Sequence, residues 1–495
     1  MATNVPGSGL PEAERIAAPV TALLEADVTI VGAGPAGLAA ASVLVENGLS
    51  VALFDDNPQP GGQYFKQLPA AFGGRPGPLQ SERERAGALI GITGHRLVQY
   101  FPSTTVWAAP EPGIFGYAGE AASGRVRSRS TILAAGAHDK AVPFPGWTLP
   151  GVVTAGGALN LIKGQGLLPG RRVVVVGNGP LLLVSAYALI QADAQVLAVV
   201  EAGRPDAAAL ANAARLSAAP YLLAKGLRYR WAMLRAKTAY LPGHTIVEAT
   251  GTSAVRSATI APIGRDGVVD RQRARNFDVD AVIVGFGLSP SAEMTRMLGC
   301  AHRFDPLLGG WIPVRSPELE TSEPTVYSVG DGAGIGGVEI AIAEGKLAAR
   351  VIVRRLKGSG SAIPATAITD ARARLERLYR FREGLNAMFG GPETYADLIT
   401  PETVICRCED LTAAVLTQSL RHNGGDLGQV KYATRISMGR CQGRNCLRTL
   451  SDMAGRPEPE PAALPGMRPP VRPIRIATLM NEPLAEARSP DMPFS

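Results

Sequence analysis

The chain has 495 residues, of which 46% are apolar and 19% are charged, and its formal net charge is +7. Its length and composition predict a globular protein of about three domains, and no apolar run is long enough to cross a bilayer. The positive charge is spread along the chain, which argues against the concentrated basic face of a nucleic-acid-binding protein.

The first predicted elements follow an N-terminal arm that we expect to reach residue 26. Residues 28–31 (VTIV) form an apolar run typical of a buried parallel strand. Residues 38–47 predict a helix of small side chains, and residues 51–54 predict a second strand. Strand, glycine-rich turn, helix, strand and acid follow one another in the order of a dinucleotide-binding fold.

The glycine-rich turn explains how this unit could bind a nucleotide. Gly32 permits the tight turn, Gly34 lets the backbone approach a pyrophosphate, and Gly37 lets the helix lie close to the strand. The N–H groups at the start of the helix then face the phosphates, and Asp55 can accept hydrogen bonds from ribose hydroxyls. The candidate binding residues of this unit are Gly32, Gly34, Pro35, Ala36, Gly37, Asp55 and Asp56.

Two further stretches of the first domain are candidates for contact with the same ligand. The loop 58–63 (PQPGGQ) contains Gly62 and Gln63, and its glycines allow close approach of the backbone. Residues 131–137 predict a buried strand that enters a glycine turn at Ala135 and Gly136. The other elements expected here are a helix over residues 81–97, short antiparallel strands over 104–108, 113–117 and 126–133, and a domain crossover at 143–151.

The opening pattern is repeated in a second unit. Residues 172–176 predict a strand, 181–191 a helix and 196–200 another strand that ends on Glu201. Two nucleotide-type units in one chain indicate two related domains.

The glycine turn of this second unit is defective, because its third glycine position holds Leu182. We expect a leucine there to push the helix away from the strand and to spoil the phosphate cradle. Efficient NAD(P)H turnover is therefore not expected, although Glu201 leaves room for a bound adenine nucleotide, either ATP or NAD.

A Gly-Asp pair supplies the last part of the nucleotide-binding pattern. Residues 325–332 predict a strand that ends in Gly330 and Asp331, and residues 338–356 predict an amphipathic helix after it. A carboxylate at such a strand end is well placed to hold the ribityl hydroxyls of a flavin. Between the second unit and this Gly-Asp pair, residues 277–285 predict a buried strand and residues 287–290 a turn.

Four of the five cysteines lie near the C-terminus, as the pairs Cys406/Cys408 and Cys441/Cys446. The spacing is C-x-C, then 32 residues, then C-x4-C. Four unrelated buried cysteines and a zinc site are the alternatives, but structural zinc pairs rarely use C-x-C. We favour a [2Fe–2S] cluster, because the glycine-rich residues 442–445 can supply N–H donors to its sulfurs.

The same cysteines bear on the cellular compartment. Their clustering does not indicate an extracellular disulfide framework, and the first residues lack the basic-then-apolar order of a secretory signal. We therefore expect a cytoplasmic protein without a transmembrane segment, with peripheral membrane association left open.

Several motifs together resemble one family of flavoproteins. GAGPAG, LAAGA, the second glycine motif and SVGDG resemble the two-dinucleotide-domain flavoproteins of the glutathione reductase class. PQPGGQ, PFPGWTLPG, GNGPLLL and GFGLSP resemble the alpha-type subunits of multi-subunit amine and imino-acid dehydrogenases. That group includes opine oxidases, D-hydroxyproline and L-proline dehydrogenases, heteromeric sarcosine oxidases and hydrogen cyanide synthases. A disulfide reductase is excluded, because Cys300 is the only cysteine before the C-terminal region.

The resemblance implies a set of cofactors and partners. It implies FAD in the first domain, a [2Fe–2S] domain similar to bacterioferritin-associated ferredoxin, and FMN at an interface with a beta subunit. That beta subunit would carry a second FAD and the substrate site, and a small third subunit is compatible with the family. The substrate, an opine, hydroxyproline, proline, sarcosine or glycine, is not determined by this chain.

The predicted fold class is α/β, with two Rossmann-like domains of the glutathione reductase class and a small [2Fe–2S] domain. A stand-alone NAD(P)H-dependent flavin/iron–sulfur reductase and a redox-sensing regulator are the alternative functions. The predicted divisions are an arm (1–26), the FAD domain (27–147 and 288–365), the second nucleotide domain (148–287), a helical connector (366–400), the [2Fe–2S] domain (401–455) and a proline-rich arm (456–495).

Overall fold

The computed structural model describes residues 23–69, 86–205, 207–392, 394–455 and 467–477. Most of the two predicted terminal arms lies outside these ranges. The predicted N-terminal arm is nevertheless too long, because residues 24–26 already belong to the first strand and pair with residues 126–128. No helix within the described residues is long and apolar enough to cross a membrane.

The described chain contains runs of strands, over residues 98–154 and 239–290, as well as stretches in which strands and helices alternate. The strands are β1 Leu24–Val31, β2 Val51–Phe54, β3 Val98–Phe101, β4 Thr104–Glu111, β5 Ile114–Gly119, β6 Ser123–Leu133, β7 Ala137–Asp139, β8 Val152–Thr154, β9 Arg172–Gly177, β10 Gln195–Glu201, β11 Ala239–Pro242, β12 His244–Thr250, β13 Ser257–Pro262, β14 Arg275–Asp278, β15 Ala281–Gly285, β16 Leu288–Pro290, β17 His302–Asp305, β18 Gly310–Pro313, β19 Val326–Ser328, β20 Val404–Cys406 and β21 Leu411–Thr412. The helices are α1 Pro35–Glu46, α2 Ala155–Asn160, α3 Leu181–Gln191, α4 Ala207–Asn212, α5 Pro220–Arg235, α6 Glu293–Met297, α7 Val338–Lys357, α8 Ala365–Met388, α9 Ala413–His422, α10 Leu427–Thr434 and α11 Leu447–Met453.

The first sheet has seven strands, in the order β3-β2-β1-β6-β5-β4, and β19 pairs with β6. β1, β2, β3 and β19 run parallel within it, whereas β4, β5 and β6 form an antiparallel meander. The sequence predicted this meander as an insertion. In the structure β6 also pairs in parallel with β1, so the last strand of the meander lies at the centre of the sheet.

The second sheet has five parallel strands, in the order β11-β10-β9-β15-β8. Its strands β9 and β10 and helix α3 match the predicted second unit. Valines dominate β9 and leave it buried on both faces of the sheet, as expected of a central parallel strand. Both large sheets are therefore Rossmann-like, in agreement with the predicted fold class.

Four predicted elements differ from the observed ones. Helix α1 begins at Pro35 and not at residue 38, because proline suits the first helical position and Gly34 precedes it in an extended conformation. The helix expected over 81–97 lies partly outside the described residues, and only residues 86–90 are α-helical. The single strand expected over 277–285 is divided into β14 and β15, which join different sheets. Residues 288–290, expected in a turn, form β16 and pair with β7.

The C-terminal region is a separate small core. The hairpin β20–β21 and helices α9, α10 and α11 pack around Ile405, Leu416, Val430, Ile436 and Leu450. The long helix α8 leads to it from the first domain and covers residues 366–388 of the predicted connector 366–400, whereas the described remainder of the connector is not α-helical.

The segment after α8 runs across the second sheet, over the end of β9. Asn178, in the second glycine turn, donates from Nδ2 to the carbonyl oxygen of Phe389 at 3.0 Å. A side chain on Gly203 would lie 2.6 Å from the carbonyl oxygen of Gly390, so the two backbones are in close contact. Further along, Asp397 accepts hydrogen bonds from the Val269 N–H and from Arg271.

Glu201 is buried beneath this segment, with 1% of its surface exposed. Its Oε1 accepts a hydrogen bond from the Gly179 N–H at 3.0 Å. Burial raises the pKa of Glu201 from 4.5 to about 8, although the N–H groups of Gly179 and Gly203 lower it. The carboxyl group is therefore mostly neutral at pH 7.

This burial predicts a pH dependence of stability. Between the unfolded pKa of 4.5 and the folded pKa of about 8, the folded state binds the proton more tightly than the unfolded state. The free energy of unfolding should therefore fall as pH rises through that window, by a few kcal/mol in total at most, on the order of 1.4 kcal/mol per pH unit. Glu201→Gln should weaken this fall, as measured by chemical denaturation from about pH 5 to about pH 9. Glu376→Gln, at an exposed position of α8, is the matched control, and equal pH profiles for Glu201→Gln and wild type would contradict the assignment.

Candidate cofactor sites

The first glycine turn is built by close backbone packing. Gly32 has a φ of +107°, and a side chain on it would lie 2.3 Å from the carbonyl oxygen of Ala134. A side chain on Gly37 would lie 1.9 Å from the carbonyl oxygen of Gly32, so helix α1 approaches the turn as closely as the sequence analysis expected. Neither position can hold a larger residue without moving the backbone.

Gly34 differs from these two glycines. Its φ is −78°, and the nearest atom to a side chain built on it is the Cα of Gly62, at 3.9 Å. The protein around Gly34 would therefore tolerate a side chain. A reason for glycine at this position is the space in front of the backbone, where a ligand would approach.

The predicted loop Gly62–Gln63 lies on the same turn. Gly61 donates its N–H to the carbonyl oxygen of Ala33 at 2.8 Å. Gly62 has a φ of +61°, and a side chain on it would lie 2.9 Å from the Cα of Gly34. Gln63 is exposed. The loop after β2 and the turn after β1 therefore form one backbone surface.

Asp55 braces this surface. It is only 6% exposed, and its Oδ2 accepts a hydrogen bond from the Ala33 N–H at 2.6 Å. Its Oδ1 accepts from the backbone and side-chain N–H groups of Asn57, at 2.7 and 2.9 Å. Burial raises its pKa, against the effect of these hydrogen bonds. The sequence predicts that Asp55 binds the ribose hydroxyls, whereas in the structure its carboxylate links β2 to the glycine turn. The neighbouring Asp56 is exposed.

The Gly330–Asp331 turn reaches the same place from the far end of the chain. A side chain on Gly330 would lie 3.1 Å from the Cβ of Ala36, and one on Gly332 would lie 3.2 Å from the carbonyl oxygen of Gly136. Asp331 Oδ1 accepts the N–H groups of Gly336 and Gly337, both at 2.9 Å, just before helix α7. Burial raises the pKa of Asp331, and these two N–H groups oppose that effect.

The predicted site residues of the first domain therefore converge from four separate stretches. They lie at the carboxyl ends of the parallel strands β1, β2, β6 and β19, where ligands of open α/β sheets bind. Gly136 continues this surface with a φ of +68°, and its carbonyl oxygen accepts the Ser291 N–H at 2.9 Å.

A buried carboxylate holds the Gly330–Asp331 turn in position. Glu344 on α7 is 1% exposed and accepts the Gly330 N–H at 2.7 Å. Arg315 donates to both carboxylate oxygens, at 3.0 and 3.2 Å, and to the carbonyl oxygen of Ser328 at 2.8 Å. The hydroxyl of Tyr379 on α8 also donates to Glu344. Nothing in the sequence patterns indicated this network, because its members are widely separated along the chain.

The second glycine turn is occupied by protein groups. Gly177 and Gly179 have positive φ values, as glycine turns of this type do. Glu201, however, accepts the Gly179 N–H, and residues 389–391 lie against Asn178. An adenine nucleotide in this domain, which the sequence analysis left open, would need that segment to move.

Leu182 is not accommodated in the way the sequence analysis expected. It is fully buried in the core of the second domain. The room for it comes from Gly285 at the end of β15, because a side chain there would lie 3.0 Å from Leu182 Cδ2. The turn is therefore covered by residues 389–391, whereas Leu182 itself is accommodated in the core.

The four C-terminal cysteines lie together. The Cys441 thiol hydrogen-bonds to those of Cys446 and Cys408, and Cys406 lies close enough to affect the pKa of Cys408 and Cys446. The Cys446 thiol and the N–H groups of Asn445 and Gly443 lower the pKa of Cys441 to about 4, despite burial. These are the backbone donors that the sequence analysis expected from residues 442–445.

The donor set fits a [2Fe–2S] cluster, which takes four cysteine thiolates, two on each iron. Within the described ranges, no group of three or more His, Cys, Asp or Glu side chains surrounds a point where one metal ion would sit. The fit therefore rests on the pairing of thiols and on the N–H groups that face them.

The cysteine loop is attached beside the first nucleotide site. Arg444, between Cys441 and Cys446, lies 2.5 Å from the Glu293 carboxylate on α6, and both side chains are largely buried. Glu293 follows β16, which pairs with β7 immediately after Gly136. A second attachment is the indole N–H of Trp147, which donates to the carbonyl oxygen of Val404 at 2.7 Å.

Known proteins with similar sequences include subunits of oxidoreductases. An opine oxidase subunit of Agrobacterium tumefaciens (strain Ach5) is 30% identical over 92% of this chain and 92% of its own length. Hydrogen cyanide synthase subunit HcnB of Pseudomonas protegens is 31% identical over 86% of this chain and 90% of its own length. Among solved structures, L-proline dehydrogenase from P. horikoshii superposes with a TM-score of 0.64 at 21% identity, over 92% of this chain and 79% of that one, and it supports the fold.

The family model for pyridine nucleotide-disulphide oxidoreductases matches residues 26–345. That range includes both glycine turns and the Gly330–Asp331 turn. It ends before the cysteine pairs, which lie beyond residue 400. The chain therefore belongs to the pyridine nucleotide-disulphide oxidoreductase family of flavin-dependent oxidoreductases.

Proposed function

We propose that this chain is the electron-transfer (alpha) subunit of a multi-subunit dehydrogenase for an amine or imino acid. The observation that carries the proposal is the position of the four-thiol loop, which is fixed through Arg444 and Glu293 beside the strand that follows Gly136. This connection between two candidate redox sites on one chain supports a role in passing electrons. The relatives are named as subunits of opine oxidase and of hydrogen cyanide synthase, and those names support a subunit of such a complex.

In this proposal the first domain holds FAD. Gly32, Gly34 and Gly37 would form the pyrophosphate turn, and the loop at Gly62 and Gln63 would cover it. Asp55 would keep the turn in shape, and the exposed Asp56 is the nearer carboxylate for ribose hydroxyls. Asp331 would lie at the ribityl chain. Bound FAD and [2Fe–2S] would supply the electron-carrying chemistry that side chains lack.

The substrate site is proposed to lie on a beta subunit that carries its own FAD, with FMN at the interface between the two subunits. A small third subunit is compatible with this assembly. The present chain would receive electrons from the partner and deliver them to an acceptor. The covered second turn supports this assignment over a stand-alone NAD(P)H reductase, because residues 389–391 lie across the turn that NAD(P)H would need.

The FAD assignment predicts the effect of Gly34→Val. The protein itself leaves room at Gly34, so the variant should fold, but its side chain would fill the space where the pyrophosphate approaches. We expect the FAD content after desalting, measured by absorbance, to fall by about tenfold or more. Gly360→Val is the matched control, since no atom of the described residues lies within 4 Å of a side chain there. Full FAD retention in Gly34→Val would refute the assignment.

The cluster assignment predicts the effect of Cys408→Ser. Wild-type protein should contain about two iron and about two acid-labile sulfide per chain, and the variant should lose most of both. Its visible absorption beyond that of the flavin should decrease accordingly. Cys300→Ser is the control, because Cys300 is buried elsewhere against Thr321 and should not affect the cluster. Zinc in the wild type, or an unchanged spectrum in Cys408→Ser, would exclude the cluster.

The proposed role in a multi-subunit enzyme predicts that the purified chain oxidises none of the candidate substrates alone. Dye reduction should be absent with proline, hydroxyproline, sarcosine, glycine and opines, and should appear when the beta subunit is added. NADPH should not bleach the flavin of the isolated chain, because the second turn is covered. Rapid substrate-dependent dye reduction by this polypeptide alone, or rapid bleaching by NADPH, would overturn the proposal.

A further inference from the structure

Helix α5 presents a row of large apolar side chains to solvent. Leu223, Leu227, Trp231 and Leu234 are 40%, 62%, 58% and 67% exposed. Their spacings of four, four and three residues place them on one side of the helix. We call these four residues the outer stripe. Single exposed apolar residues are ordinary, but a contiguous row marks an interaction surface.

The opposite side of α5 already has its packing partner. Tyr229 and Met233 are buried, and the Tyr229 ring lies 4.8 Å from the ring of Tyr187 on α3. The helix is also attached to the first domain, because Leu222 packs against the core of that domain, and the outer stripe is needed for neither attachment. Lys225 of the same helix donates to the Tyr64 hydroxyl at 2.8 Å, and Tyr64 directly follows Gln63 of the first candidate cofactor site.

Arginine side chains lie along both edges of the outer stripe. At helical spacing, Arg230 falls on one side of it, and Arg228 and Arg235 fall on the other. Each guanidinium is stacked on an aromatic ring: Arg230 at 4.1 Å from the ring of Tyr240, Arg235 at 4.8 Å from Trp231, and Arg228 at 5.5 Å from Tyr187. The sequence of α5 contains no aspartate or glutamate.

We propose that the outer stripe of α5 binds the surface of an anionic lipid membrane. Trp and Leu on one face with arginines along its edges is the composition of helices that lie in the membrane–water interface. The apolar side chains would enter the region below the headgroups, and Arg230 and Arg235 would contact the lipid phosphates. Arg228 instead donates to the Tyr187 hydroxyl at 2.7 Å. Cations flank the stripe on both edges, and the helix contains no acidic residues. The surface that binds the stripe is therefore expected to be apolar where it meets the stripe and negatively charged on both sides of it. An anionic bilayer has that property over its whole surface.

The proposal is tested with the full-length chain and vesicles of known composition. Wild type should co-sediment with vesicles of equal parts phosphatidylglycerol and phosphatidylcholine at about 50 mM salt, and much less at about 500 mM salt. It should co-sediment weakly with pure phosphatidylcholine, since the charge attraction is then lost. Failure to bind the phosphatidylglycerol vesicles at low salt would overturn the proposal.

The double variant Leu227→Glu/Trp231→Glu places two charges in the outer stripe. Both positions are more than half exposed, so the fold should be retained, which circular dichroism checks. We expect its affinity for the anionic vesicles to fall by about tenfold or more. Leu307→Glu is the matched control, because Leu307 is 67% exposed elsewhere and should bind as wild type does. Equal binding by wild type and the double variant would refute the stripe as the binding surface.

A milder double variant tests the contribution of the arginine charges to vesicle binding. Arg230→Gln/Arg235→Gln keeps the apolar residues and should reduce the salt dependence of binding. Trp231 emission should shift to shorter wavelength with vesicles, and Trp231→Phe should abolish the shift, since Trp107 and Trp147 are buried and the half-buried Trp311 packs against the ring of Phe304. If the double glutamate variant instead loses a co-purifying partner chain and keeps its vesicle binding, the stripe is a protein–protein interface and the membrane proposal is wrong.

Discussion

The first nucleotide site depends on the buried carboxylate of Glu344. It joins three parts of the chain that are not neighbours in sequence: Arg315, the Gly330 N–H and Tyr379. Removing one partner of such a buried ion pair typically costs about 3–5 kcal/mol, since the remaining charge is left without compensation. The first nucleotide site therefore requires the contacts of Glu344. It holds the Gly330–Asp331 turn against Ala36 and so closes the end of the sheet.

Helices α1 and α7 pack closely at the same place, because Gly345 has no side chain. A side chain on Gly345 would lie 2.1 Å from the carbonyl oxygen of Ala36. Small residues on both helices bring their backbones together, and Glu344 lies next to Gly345 at this approach. The two ends of the first domain, which are about 300 residues apart, are joined here through backbone proximity. Side-chain chemistry alone would not bring them so near.

Local patterns predicted the parts of the fold that depend on local physics. The turns at Gly32–Gly37 and Gly177–Gly179 and the strands on either side of them follow from glycine conformations and apolar runs. Long-range packing could not be predicted in this way. Leu182 indicated a defective second turn, but the protein groups that occupy it, Glu201 and residues 389–391, are brought there by the tertiary fold. The cysteine spacing likewise predicted a shared site, whereas its attachment through Arg444 and Glu293 could be seen only in the structure.

The path of residues 389–391 also has a mechanical consequence. These residues connect α8 to the small core that carries the cysteine pairs, and Asn178 holds them over the second glycine turn. Any molecule that binds in that turn would have to displace residues 389–391, and these residues lead to the core that carries the four cysteines. Ligand binding in the second glycine turn and the observed position of the C-terminal core therefore exclude each other. A dinucleotide in the second turn would therefore displace residues 389–391 and, with them, the backbone that positions the four cysteines.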